Sequence, residues 1–374
     1  MKILQLTTFF YPVVGGVETQ VADLSQQLSQ AGYQVSILTT TATHNDNSLQ
    51  AGSEVIFGLE NISLHRVKSW LSFTRYHRFA PGVLGYLLKK DFDIVHVHGI
   101  RKPEAYLALF AAKLKRKRIV VSTHNPFTTV ERSLMHKIFI FLHDALVGFW
   151  LMRFFDHYFL LSSSEIAHLK KFGISEGKMS VVGNAVSQEF FQDGIVNSEG
   201  SLTCLSVGRL HKNKGLANLE LAVAQNPEVK FQIIGGDDGE LSSLRKIFQG
   251  RNNVDLPGVF YSRTKLLDLY KNADIFLLPS LHEPFGIVLL EAMASSCAVI
   301  ATNQGGPVDI LAGGEYGLLL DPRDQQAWAD SISSLKNDEK KLRNLQEKAR
   351  QRAIDYTWEK ILPIYSNVFT NTYE

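Results

Sequence analysis

The sequence predicts an α/β protein built from two doubly wound domains that face a cleft. Three observations carry this. Short apolar runs of strand length alternate with helix-period patterns along most of the chain. Glycine-containing turns punctuate the junctions between strand and helix. At 374 residues the chain exceeds what one hydrophobic core usually supports.

The elements follow in order. "KILQLTTFF" is a first strand, ended by Pro12 and the pair Gly15-Gly16. "VETQVADLSQQLSQAG" sets Val17, Val21, Leu24 and Leu28 at helical spacing and stops at Gly32, and "YQVSILTT" is the next strand. Strand, glycine turn, helix and strand in quick succession argue a parallel sheet with helices on its faces. The alternation resumes with "FDIVHVHG", "PEAYLALFAAKLK" and "RIVVSTHN". An aromatic-rich helix over 131–152, the strand "DHYFLLSS", the helix "SEIAHLKKFG" and "KMSVVGNAV" complete the first half. Periodicity lapses over 187–201, "SQEFFQDGIVNSEGS", so residues 1–186 are expected to form one domain and 187–355 a second. The second set of strands is "LTCLSVGRL", "VKFQIIGG", "VDLPG", "DIFLLPS", "AVIATN" and "YGLLLD", and helical stretches over 336–354 and 358–372 end the chain. In sheets of this kind ligands bind beyond the carboxyl ends of the strands.

Composition is that of a soluble globular protein, 45% hydrophobic and 20% charged, with no low-complexity tract or internal repeat. The N-terminal stretch reads as a strand rather than a secretion signal, and no apolar run is long enough to span a membrane. Cys204 and Cys297 cannot make a disulfide framework and are expected as buried free thiols in a reducing, cytoplasmic compartment. The net charge of +2 hides an asymmetry: residues 61–130 hold 13 Lys/Arg against Asp91, Asp93 and Glu104. Two readings of that basic segment stay open, an anionic partner or a set of solvated helix faces. No nucleic-acid recognition motif accompanies it.

The chemistry concentrates in "HEPFGIVLLE", residues 282–291. Pro284 pushes Glu283 out of helical conformation, and a helix is expected to begin at about Phe285–Gly286 and to carry Glu291. The amides of Phe285, Gly286 and Ile287 would then form an anion-binding helix end, with Gly286 admitting a ligand close to the backbone. The bland alternative has Glu283 capping the helix and Glu291 pairing with a surface lysine. "VGRLHKNKG" adds Arg209 and Lys214 on the loop after a strand, a fork donor and a point charge suited to a diphosphate. The loop "VVGGVE" offers Gly15 and Gly16 as a third place where backbone can meet phosphate, though without dinucleotide-fingerprint spacing. Together these groups suit phosphate plus sugar hydroxyls, hence a sugar nucleotide.

These segments resemble the GT-B retaining glycosyltransferases, specifically glycosyltransferase family 4. The carriers are "GGVE" at 15–18, "FDIVHVHG" at 92–99, "STHN" at 122–125, "VGRLHKNKG" at 207–215, "PSLHEPFGIVLLEAMASSCAVIATNQGGPVDIL" at 279–311 with its E-x7-E pattern, and "YGLLLDP" at 316–322. The resemblance implies two Rossmann-like domains and a final helix over 356–374 that crosses back onto the N-terminal, acceptor-binding domain. It implies that Arg209 and Lys214 hold the donor diphosphate, that Glu291 takes the ribose hydroxyls, and that Glu283 with the amides of Phe285, Gly286 and Ile287 holds the donor sugar. Gly15 and Gly16 would lie against the diphosphate, His124 near the reacting carbon, and the base near Leu256–Phe260, at Val259. The implied reaction moves a sugar from a UDP- or GDP-sugar to a hydroxyl of a glycan or lipid-linked acceptor in cell-surface polysaccharide or glycolipid synthesis, with retention and without metal or cofactor. Asp309 stands where the family usually has Glu, and "GNAVS" at 183–187 departs from its usual Asn-Gly. A non-catalytic nucleotide-sugar or lipid-binding protein, and a sugar phosphorylase or disaccharide synthase, are the rival readings.

Some residues tempt other assignments. "DFD" at 91–93 matches a D-x-D metal motif, but it leads into a buried strand and reads as loop carboxylates. Asp237-Asp238 reads as a turn. His96 and His98 share a strand face and read as a packed, hydrogen-bonded pair. The apolar segment over 131–155 is either a core helix or, with "KLKRKR" upstream, a peripheral hold on an anionic membrane surface.

Overall fold

The structure, a computed structural model, describes residues 1–13, 15–43, 48–54, 59, 61–72, 78–124, 134–191, 201–260 and 262–371. The chain divides into two compact units, Met1–Gly183 with Leu362–Glu374, and Asn184–Ile361. The junction segment belongs to the second unit at Val186, which pairs with Thr357 in an isolated bridge. Most of the expected break, residues 192–200, lies outside the described residues.

The first unit is built on an eight-stranded sheet. Its order is Met179–Val181, His157–Leu160, Arg118–Ser122, Ile94–His98, Lys2–Leu6, Gln34–Thr40, Ser63–Val67 and Gly52–Glu54. Neighbours are parallel except for the last pair. The first strand in sequence lies mid-sheet, so the order reverses where Lys2–Leu6 and Ile94–His98 end side by side. Such a reversal leaves a crevice at the strand ends. The strand Ile94–His98 is buried throughout, as central parallel strands are. Its two histidines are therefore conspicuous in a position that normally takes aliphatic residues. Leu6, Val95, Val97, Ile119 and Val121 pack against Ala105, Ala108 and Ala112 of the helix Pro103–Leu114, whose small side chains let it lie close to the sheet.

The second unit has six parallel strands, ordered Val254–Gly258, Lys230–Ile234, Thr203–Val207, Ile275–Leu278, Ala298–Thr302 and Leu318–Leu320. Here the order reverses between Thr203–Val207 and Ile275–Leu278. Cys204, Phe231, Ile275 and Ile300 meet Leu219, Trp328 and Ile332 in its core. Both cysteines are buried free thiols, and burial raises their pKa values. The helix Trp358–Thr370 starts in this unit and counts with the first from Leu362. There Tyr365 and Phe369 pack on Phe159, and Arg118 donates to the carbonyls of Val368 and Phe369 at 2.7 and 2.8 Å. A cation at a helix C-terminus also meets the negative end of its dipole.

The basic stretch 61–130 turns out to be largely engaged inside its own unit. Eight of its cations have internal partners: Arg66, Arg78, Arg101, Lys102, Lys113, Lys115, Lys117 and Arg118. Several of those partners are carbonyl oxygens, which a charge count cannot see. Asp91 and Asp93 of the "DFD" segment hold the Lys2 ammonium and backbone amide respectively.

Candidate active site

In the second unit the strand ends at the reversal carry the expected polar groups. Thr203–Val207 ends in Gly208 and leads to Arg209 and a single 3₁₀ turn, Lys212–Lys214. Ile275–Leu278 leads through Pro279 and Ser280 to Glu283. The Lys214 ammonium donates to Glu283 Oε2 at 2.7 Å, and the Ser280 hydroxyl donates to the same oxygen at 3.0 Å. The Glu283 side chain is only 9% exposed and that of Lys214 26%. A carboxylate this buried needs its partners. A pocket at this spot is lined by Gly208, Arg209, Lys214, Leu278, Pro279 and Ser280, among others.

Glu283 is fixed by backbone as well as by charge. Its carbonyl accepts from the Gly306 amide at 2.9 Å, in an isolated bridge to Gly305. Gly305 has φ +82°, and a Cβ there would stand 2.1 Å from the Glu283 oxygen, so only glycine fits. The helix begins later than the sequence suggested. It spans Ile287–Ala294, with Gly286 as N-cap at φ +100°. Phe285 therefore precedes the helix, and its buried ring packs near Tyr356. The helix end is therefore formed by Ile287 and its cap Gly286, with Phe285 one residue outside it. Glu291 stays on the helix, about two turns below, where the Tyr270 hydroxyl donates to its Oε2 at 2.7 Å. Glu283 does not cap the helix with its side chain, and Glu291 accepts from a buried tyrosine.

Arg209 on this loop has a side chain 60% exposed and pairs with Asp238 at 2.7 Å. Asp237 accepts from the amides of Gly239, Glu240 and Leu241, which starts the next helix and holds Asp238 toward Arg209. Val259 follows Gly258 at the end of a strand and is exposed. Ser280, Tyr270 and Asp238 are site residues that sequence reasoning missed. Only Ser280 left a signal, three positions before Glu283. His282 is another: burial lowers its pKa, and its Nε2 is buried without a hydrogen-bond partner among the described residues.

In the first unit His124 follows the strand Arg118–Ser122 with φ +52°, a conformation costly for a residue with a Cβ. Its Nε2 lies 3.1 Å from His98 Nδ1, and His98 Nε2 lies 2.7 Å from Gln5 Oε1. His96 bonds Ser122 at 2.8 Å and its ring is 4.3 Å from that of His98. Burial lowers His96 and His124 to about 3 and His98 well below its usual value, with smaller contributions from the neighbouring histidines for His96 and His98 and from Lys102 for His98 and His124. All three are neutral imidazoles at physiological pH. Asn125 lies outside the described residues. Beside this row, Lys102 and Glu104 both bond the Thr8 hydroxyl; burial lowers the lysine pKa and raises that of the glutamate. The helix Gly16–Gln30 starts nearby in sequence. A Cβ on Gly15 would meet the Glu18 carboxylate at 2.6 Å, whereas one on Gly16 would meet nothing within 4 Å. Gly16 is the open approach to this backbone; Gly15 is covered. Among the described residues no cluster of His, Cys, Asp or Glu could hold a metal ion.

Two parallel-sheet units, each with polar groups at the reversal of its strand order, make a GT-B glycosyltransferase fold. Anabaena HepE, solved in complex with UDP, superposes with a TM-score of 0.78 at 19% identity, over 99% of this chain and all of that one. Residues 14–190 match the family model Glycosyltransferase Family 4, and residues 187–352 match Glycosyl transferases group 1. The chain belongs to the family 4 type of GT-B glycosyltransferase. It is 26% identical to the phosphatidyl-myo-inositol mannosyltransferase of Mycolicibacterium smegmatis, over 98% of this chain and 94% of that protein. It is 28% identical to the GDP-mannose:cellobiosyl-diphosphopolyprenol alpha-mannosyltransferase of Xanthomonas campestris, over 90% of this chain and 87% of that protein.

Proposed function

We propose that this protein is a retaining glycosyltransferase that moves a hexose from a UDP- or GDP-sugar to a hydroxyl of a lipid-linked acceptor. The observation that carries the donor reading is the Lys214–Glu283–Ser280 cluster beside the glycine-opened helix start at Gly286. Lys214 and Arg209 supply the positive charge that a departing diphosphate requires, and the Ile287 helix end adds its dipole. The two cations take the place that a divalent metal holds in metal-dependent transferases, so no metal or cofactor is needed. Glu283 accepts hydroxyls of the sugar and Glu291 those of the ribose, with Val259 beside the base. In the first unit the open backbone at Gly16 and the neutral imidazole of His124 are offered to substrate.

The sugar carbon–phosphate oxygen bond breaks as the acceptor oxygen bonds the same carbon on the same face. The acceptor proton passes to the departing phosphate oxygen, and the nucleoside diphosphate leaves. His124, neutral near pH 7, contributes a hydrogen bond and not a charge. The lipid acceptor rests on the relatives, whose names give phosphatidyl-myo-inositol and a diphosphopolyprenol glycan as acceptors.

A thermal-shift panel of UDP-glucose, UDP-galactose, UDP-N-acetylglucosamine and GDP-mannose tests the donor reading. A donor at a hundred times its Kd adds about 2.7 kcal/mol and should raise Tm by roughly 5–10 °C. If no nucleotide sugar moves Tm, the reading falls.

A further inference from the structure

The helix Leu134–His143, the π-helical turn Asp144–Gly148, the turn Phe149–Leu151 and the 3₁₀ turn Met152–Phe154 form a continuous segment with an unusual surface. Large apolar side chains stand in solvent along it: Phe139, Phe141, Leu142, Leu146, Trp150 and Phe154, with Leu146 at 71% and Phe141 at 70% exposure. Scattered exposed apolar residues are normal, but a contiguous run marks an interaction surface. The face continues onto the neighbouring helix. Tyr106 bonds His143 at 2.9 Å, and Phe110 and Leu114, spaced four and eight residues on, are both exposed on that side.

Resting on the lipid-acceptor reading, we infer that this face lies on a membrane surface containing anionic lipid, with its aromatic side chains at the headgroup level. Charge favours that occupant over a second protein. The only acid from 134 to 154 is Asp144, and Arg101 neutralises it through two bonds, Nε to Oδ1 at 2.9 Å and Nη2 to Oδ2 at 2.5 Å. Lys137 on the segment itself and Arg116, two residues after the exposed Leu114, are both exposed. The segment carries Lys137, Asp144 and Arg153 within its length, and among the described residues no helix is long and apolar enough to cross a membrane. It is built to lie on the surface and not to span it. The basic stretch 61–130 as a whole does not make this contact, since most of its cations are engaged internally.

The Arg101–Asp144 pair also ties the segment to the chemistry. Arg101 and Tyr106 follow the strand that carries His98, and they grip the helix at Asp144 and His143. A membrane-bound segment would thereby hold the His98–His124 row at a fixed depth relative to the headgroups, where a lipid-linked hydroxyl is found.

Co-sedimentation with vesicles of phosphatidylcholine, with and without phosphatidylglycerol, tests this on the full chain. Wild type should bind the mixed vesicles and release at high salt. Leu146→Glu with Trp150→Glu, both at exposed positions, should keep the circular dichroism spectrum and lower partitioning by at least about tenfold. Lys137→Glu with Arg116→Glu should lower binding to the anionic vesicles alone. Donor thermal shifts, read in parallel without vesicles, should be unchanged in all variants. No binding by wild type overturns the inference while an intact donor shift leaves the proposed function standing. Vesicle binding without any donor shift does the reverse. A wild-type dimer that the Leu146/Trp150 variant converts to monomer, with no vesicle binding in either, also overturns it and assigns the face to self-association.

Discussion

Replacing Lys214 with alanine separates its structural role from its catalytic one. The ammonium stands 2.7 Å from Glu283 Oε2. At an effective dielectric of about 20 the gross attraction at that distance is about 6 kcal/mol, most of it offset by desolvation of the two groups. Removing the cation strands a nearly buried carboxylate. Breaking a fully buried pair costs about 3–5 kcal/mol, and the partial exposure of Lys214 reduces this to about 2–3 kcal/mol. Glu283→Gln in the same chain removes the stranded charge and should restore most of that stability. Activity should behave differently. If Lys214 stabilises the charge developing on the diphosphate, its loss costs about 3–4 kcal/mol, or roughly 10²–10³ in kcat/KM, and the double variant should recover none of it. Chemical denaturation followed by tryptophan fluorescence gives the first quantity and initial-rate assays the second. Near wild-type kcat/KM in Lys214→Ala or in the double variant would refute the assignment and leave the pair as a purely structural contact.

Tyr270→Phe deletes the hydroxyl that orients Glu291, and should cost about 1 kcal/mol of stability and raise the donor KM several-fold with kcat nearly unchanged. An unchanged KM would detach Glu291 from the donor. Gly305→Ala puts a methyl 2.1 Å from the Glu283 carbonyl at a positive φ, so it should cost at least about 2 kcal/mol and displace Glu283. Wild-type melting would show that this loop yields easily. His96 is buried and neutral in the folded state with a pKa lowered to about 3, below its ordinary 6.5. The unfolded chain therefore binds more protons between those values, and stability is full above pH 6.5 and falls as pH drops toward 3, by up to about 1.4 kcal/mol per pH unit for this group. His96→Phe should flatten part of that slope in melts taken from about pH 7.5 down to about pH 4.5.

Much of the fold was legible because the parallel sheets write themselves as apolar runs separated by glycine turns. All six strands of the second unit stand out in this way, from "LTCLSVGRL" to "YGLLLD". Pro284 likewise revealed that Glu283 lies off the helix. The helix start was read one or two residues early, because Gly286 adopts a left-handed conformation that nothing in the sequence requires. Partners distant in sequence were not legible. Asp238 reaches Arg209 through a turn that Asp237 builds, and Tyr270 reaches Glu291 from a separate helix. The internal engagement of the charge surplus over 61–130 was hidden for a similar reason: half of its eight engaged cations bond loop and helix-end carbonyls such as those of Leu87 and Phe369, which have no residue-type signature. The row Gln5–His98–His124 was half legible, since the strand period aligned His96 with His98, but the pairing with Gln5 depends on strand order.

The central claim is tested most directly by the product itself. The protein is incubated with the nucleotide sugar that raises its Tm and with a lipid-linked acceptor in mixed vesicles, and the new glycosidic bond is read by nuclear magnetic resonance. The account predicts release of one nucleoside diphosphate per bond formed and a product that keeps the anomeric configuration of the donor. An inverted product, or no transfer from any UDP- or GDP-sugar, contradicts it.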